Sequence, residues 1–70
     1  MRLEDLEVFR AVHEAGSFQR AAQRVGLSQS AVTKVVRKLE EEFGLQLVER
    51  GARAATLTPA GRPFYERPLQ

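Results

Sequence analysis

The stretch SQSAVTKVVRKLE, Ser28 to Glu40, gathers the side chains with the most specific chemistry in this chain. The Gln29 amide offers a donor and an acceptor side by side, Ser30 and Thr33 bring hydroxyls, Lys34 brings three N–H donors and Arg37 a planar fork of five. Such groups recognise hydrogen-bonding edges and anions. Catalysis asks for a different set, and the chain has little of it: His13 is the only histidine, there is no cysteine, and Glu4, Asp5 and Glu7 fall on a solvated helix start. A lone histidine here reads as a surface or core-edge residue, so the chain reads as no enzyme. Without cysteine, disulfides and thiolate metal sites are excluded, which suits a reducing compartment.

An α-helix advances about 100° per residue, and on that wheel Val32, Val36, Leu39 and Phe43 form a narrow apolar stripe that predicts the core side. Measured from Val32, Thr33 lies about 100° away, Arg37 about 140°, Ser30 about 160° and Lys34 about 200°, with Gln29 beside them on the first turn. Ser28 is placed to cap this helix, which is expected to run to Phe43 with Gly44 as its left-handed C-cap. Before it, Leu3, Leu6, Phe9 and Val12, with Val8 and Ala11, predict an amphipathic first helix ending near Gly16. Ser17 caps a short second one in which Phe18, Ala21, Ala22 and Val25 recur at helical spacing up to Gly26. The result is a tight helix–turn–helix. Its second helix has the outward face of one that enters the major groove of DNA, where Gln pairs with adenine, Lys donates to guanine and a Thr methyl touches thymine. The same spacing also suits an inert helical hairpin.

Seventy residues limit the chain to one small domain. Its start, MRLEDLEVFR, carries early acids and no unbroken apolar run, so neither a signal peptide nor a membrane span is expected and the reading is a soluble, cytoplasmic protein. The net charge of +2 hides a division: residues 17 to 39 hold Arg20, Arg24, Lys34, Arg37 and Lys38 with no acid. That segment suits a polyanion. Glu40, Glu41 and Glu42 follow, unfavourably placed against the helix dipole and expected to face away from DNA. Leu45, Leu47 and Val48, then the loop GARAA, then Thr56, Leu57 and Thr58 read as a β-hairpin, with Arg53 at a tip suited to the minor groove and Arg50 at a base suited to a phosphate.

The pieces SF-x-x-AA, LSQ-x-AV, LE-x-x-x-G-x-x-L and LTPAG occur in an order and spacing that resemble the N-terminal DNA-binding domain of the LysR-type transcriptional regulators, from about Leu3 to Gly61. The resemblance implies a mainly α fold, a winged helix–turn–helix: a three-helix bundle, a short β-hairpin wing and the start of a fourth, linker helix. It divides the chain into a DNA-binding domain, 1–58, and the start of a linker or dimerisation helix, 59–70, truncated and interrupted by proline. By position, Gln29, Ser30, Thr33 and Lys34 would meet base edges, Arg53 the minor groove, and Ser17, Ser28, Arg37 and Arg50 phosphates.

The implied partners are double-stranded promoter DNA, RNA polymerase and further copies of the protein in a homodimer or tetramer, with no membrane. No cofactor or metal is implied for this domain; a small-molecule effector belongs to a C-terminal periplasmic-binding-like domain that these residues do not include, so the chain reads as one cut to its DNA-binding part. Ser30 stands where the family often has Pro, and Val48 where it usually has Phe. Taking Pro59 as the first helical position, Pro63 falls at the fifth, where its missing N–H predicts a kinked or frayed tail. Two other readings fit parts of the pattern: a winged helix used for protein contacts, and the DNA-binding domain of the molybdate-responsive regulators, with its similar LTPAG-ended pattern. The SQSAV start favours the LysR type.

Overall fold

The computed structural model describes residues 2–51 and 54–66. Three helices come first: α1 (Leu3–Ala15), α2 (Phe18–Val25) and α3 (Gln29–Phe43). Serine oxygens start the second and third as the sequence predicts. Ser17 Oγ accepts from the Arg20 N–H at 3.0 Å and Ser28 Oγ from the Ala31 N–H at 3.1 Å, each satisfying one of the orphan donors of a first turn. The chain leaves α2 through Gly26 at φ 73°, a left-handed conformation open to glycine at little cost, and so turns tightly into α3.

The core lies where the three helices meet. Phe9 and Val12 of α1, Ala21 of α2, and Val32 and Val36 of α3 are fully buried, joined by Leu39 and by Leu47 beyond the helix. Full burial of each larger apolar side chain stabilises the fold by roughly 1.5–3 kcal/mol. Two expected core residues are placed otherwise. Leu3 is exposed at the open end of α1, and Phe43 is 36% exposed, because α3 has by then run past the bundle and Phe43 instead meets Phe64, ring centroids 4.7 Å apart. Lys38, counted in the basic segment, turns back to the buried Asp5 with its Nζ 3.2 Å from Oδ2, and so straps α3 to α1.

The wing is a two-stranded antiparallel sheet, β1 (Val48–Arg50) and β2 (Ala55–Leu57), in the register Val48↔Leu57, Glu49↔Thr56, Arg50↔Ala55. Leu45 lies outside it and is exposed, since its N–H closes the end of α3 on the Glu40 carbonyl at 3.1 Å. Three further bonds fix the hairpin and the residue before it to the bundle. The Glu40 carboxylate accepts the N–H groups of Leu47 (2.9 Å) and Val48 (3.2 Å), so a negative charge poorly placed for the helix dipole is held by two amides. The Ala55 N–H donates to the Gly16 carbonyl at 2.8 Å, joining β2 to the turn before α2.

After β2, Thr58 binds Leu47 through its N–H and Gln46 through its hydroxyl, and its Oγ1 accepts from Gly61 at 3.0 Å. Residues 59–61 form a turn, and α4 (Arg62–Glu66) begins three residues later than Pro59 would place it. Pro63 is therefore the second helical residue instead of the fifth. Its missing N–H is one of the orphans of a first turn, and it does not interrupt the described part of the helix. The expected fraying of the last residues lies outside those described. Tyr65 docks α4 on α1: its carbonyl accepts from Arg10, its ring lies under the Arg10 guanidinium and edge-on to His13, and its hydroxyl donates to Glu14 at 3.0 Å. Among the described residues no helix is long and apolar enough to cross a membrane.

Gly61 is buried against the backbone of Leu47, where a Cβ would sit 2.0 Å from the Leu47 oxygen. Gly61→Ala is expected to destabilise the fold by about 1–3 kcal/mol, measured by denaturant unfolding; an unchanged midpoint would contradict this close approach. The hydrogen bond to Glu14 comes first among the causes that raise the Tyr65 pKa from its ordinary 10.0, ahead of desolvation and the carboxylate's charge, with Arg10 opposing them. A folded-state pKa raised in this way gives a contribution fully present below pH 10 and lost as pH rises through the folded value. The folded chain should therefore form phenolate at higher pH than the unfolded chain, and Glu14→Gln should shrink the difference when both are titrated by phenolate absorbance.

Candidate nucleic-acid interface

The side of α3 opposite Val32 and Val36 is open along its first half. Gln29, Ser30, Lys34 and Arg37 are exposed, while Thr33, at the edge of the face, is half-buried. Gln29 is on the first helical turn and reaches the same cleft as the wing. That cleft, about 290 Å³, lies between the starts of α2 and α3 and the base of the hairpin, bringing together Ser17, Phe18, Gln19, Gln29 and Arg50. The anchor from Ala55 to Gly16 closes this arrangement, because Arg50 is Ala55's partner in the sheet and Gly16 directly precedes Ser17.

The capping hydroxyls are not used up by their caps. Each Oγ accepts a backbone N–H, and an accepting hydroxyl still has its own proton to donate. Ser28 shares a further bond with Ser30, their Oγ atoms 3.2 Å apart, so the start of α3 presents a linked pair of hydroxyls. Arg53 lies outside the described residues, and the minor-groove contact expected of it has no geometry here.

Charge is sorted by pairing. Arg10 meets Glu14, Lys38 meets Asp5 and Arg62 meets Glu66, all on or facing α1 and α4. Arg20 and Arg24 of α2, Lys34 and Arg37 of α3, and Arg50 of the wing have no carboxylate partner among the described residues; Arg2, at the start of the chain, shares this condition. Cations free of internal carboxylates keep their full field for an external anion. Lys38 belongs with the structural ion pairs and leaves the basic segment one charge poorer than its composition suggests.

The sequence reading missed two members of this site. Gln19 follows the α2 cap by two residues and lines the cleft, a position that a wheel drawn for the buried face alone does not pick out. Phe18 reads as a core residue from its spacing. It is half-buried and packed against the core, and the Arg50 guanidinium carbon lies over its ring, 4.5 Å from the centroid. Among the described residues no group of three or more His, Cys, Asp or Glu side chains could hold a metal ion.

The comparisons with known proteins agree with this geometry. The crystal structure of the BenM DNA-binding domain in complex with benA site 1 DNA superposes with a TM-score of 0.89 at 42% identity, covering 94% of this chain and 74% of that one. The CbnR DNA-binding domain in complex with DNA gives 0.89 at 41% identity, covering 94% and 76%. Among curated proteins, the HTH-type transcriptional regulator CrgA of Neisseria meningitidis is 42% identical over 64 residues, 91% of this chain and 21% of that protein. BenM of Acinetobacter baylyi is 42% identical over 66 residues, 94% and 22%. The chain thus spans about a fifth of the length of these curated relatives. The profile of the bacterial regulatory helix-turn-helix proteins of the lysR family matches residues 3–62, and with that match over nearly all of its length the chain belongs to the LysR family.

Proposed function

We propose that this chain is the promoter-recognition domain of a LysR-type transcriptional regulator, binding double-stranded DNA with α3 in the major groove and the wing at the adjacent minor groove. The observation that carries this reading is the sorting of charge: Arg20, Arg24, Lys34, Arg37 and Arg50 have no carboxylate partner among the described residues, whereas Arg10, Lys38 and Arg62 have one. The DNA complexes of the BenM and CbnR domains support it, as both share this fold at 41 to 42% identity.

In this reading Gln29, Ser30, Thr33 and Lys34 meet base edges, and Arg53 enters the minor groove. Ser17, Ser28, Arg37 and Arg50 hold phosphates. Base contacts specify a site while phosphate contacts position the protein on it. Thr33, half-buried, is suited to a methyl contact more than to a hydrogen bond. The regulator acts in the cytoplasm as a homodimer or tetramer, with RNA polymerase as a further partner and no catalytic activity. Its small-molecule effector belongs to a C-terminal sensor domain, and the DNA-binding domain needs no cofactor.

Binding of duplex DNA by this chain is expected to weaken steeply with salt. About four neutralised phosphates give a slope near −3.6 in log affinity against log salt concentration. Fluorescence anisotropy at several salt concentrations measures it, and a salt-independent affinity would favour the protein-contact reading of the fold. The division of roles has its own test once a selected site is known from a random DNA pool. Gln29→Ala and Lys34→Ala should each reduce discrimination between that site and random duplex by about 1–3 kcal/mol, while Arg50→Ala should weaken both alike. Equal losses on both duplexes for all three variants would overturn the assignment.

A further inference from the structure

Arg50 is exposed at the mouth of the cleft and has no carboxylate partner among the described residues, yet it is not left to wander. Its backbone is held in register with Ala55, itself tied to Gly16, and its guanidinium carbon lies 4.5 Å from the centroid of the Phe18 ring. Phe18 in turn is held by its own packing against the buried core. From these contacts we infer that Phe18 is a positioning residue for DNA binding, acting through Arg50. The inference rests on the DNA-binding reading above.

The physical reason lies in which part of the guanidinium each kind of partner uses. A carboxylate would order the arginine by taking up two in-plane donors and cancelling its charge. An aromatic ring attracts the guanidinium through its π-face and leaves the in-plane N–H donors free. With its guanidinium carbon over the Phe18 ring, Arg50 is restricted in position while keeping its charge and N–H donors for a phosphate at the cleft that Ser17 also lines. The spacing of SFQRAA places Phe18 where a core residue is wanted; the arginine above it adds a reason for that residue to be aromatic.

The test compares Phe18→Leu, Phe18→Tyr, Arg50→Ala, Arg50→Lys and the double variant Phe18→Leu/Arg50→Ala in duplex binding across a salt series. Phe18→Leu should weaken binding about two- to fivefold at fixed salt, the range of an exposed cation–π contact, without changing the salt slope, because the charge is still present. Arg50→Ala should reduce the slope by about 0.9. In the Arg50→Ala background, Phe18→Leu should cause no further loss, and Phe18→Tyr, which keeps a ring, should bind like the parent.

Multiplying losses in the double variant, or a failure of Phe18→Tyr to retain affinity, would overturn the positioning role while leaving the DNA reading intact. A parent chain with no salt-dependent affinity would overturn both. Should Phe18→Leu fail to fold, Arg50→Lys carries the test: it keeps the charge without the planar stack and should weaken binding at unchanged slope, and parent-like affinity would count against the proposal. Independently of DNA, the Arg50 side-chain protons should show an upfield ring-current shift in the parent; its absence would also overturn the stacking.

Discussion

The seam of Val32, Val36 and Leu39 sets the rotation of α3, and most of what the molecule presents to its surroundings follows from that rotation. With those three side chains locked against Phe9, Val12 and Ala21, the helix cannot roll without opening voids in a core that has few residues to spare. Gln29, Ser30, Lys34 and Arg37 are then held outward by a constraint in which they take no part. The Asp5–Lys38 pair acts in the same sense from the side, tying α3 to α1 at a point where the apolar seam ends.

A periodic pattern reports such a seam well, so the three helices, their serine caps and their glycine stops can be read from the chain directly. Phe43 shows where that reading ends. A wheel gives direction around an axis but not distance along it, and Phe43 faces the core side at a level where the bundle has finished. Pro63 departs from its expected place for a related reason. The LTPAG stretch marks a helix start, but the Thr58 side chain and the close fit of Gly61 insert a turn before the helix begins, and those are long-range contacts with Gln46 and Leu47. The wing's strands are visible as a change of period, while their attachment through Glu40 and through Ala55 to Gly16 is not, since none of these bonds has a local signature.

Charge shows the same limit in a different form. Composition identifies a basic segment but counts Lys38 with Arg37, its neighbour. Only the fold separates a cation committed to Asp5 from one left open to solvent, and only the fold shows that the Phe18 ring serves two surroundings at once, an oily one below and a cationic one above.

The fit of Gly61 against Leu47 has a consequence for how this molecule tolerates change. Within the helical bundle, an enlarged side chain can be answered by a smaller neighbour, so volume can migrate among several positions while the sum is kept. At Gly61 the facing atoms are main chain, which no substitution can trim. Sequence drift there has no second-site remedy, and the geometry by which α4 departs from the hairpin is consequently far stiffer against mutation than the helices that make up most of the fold.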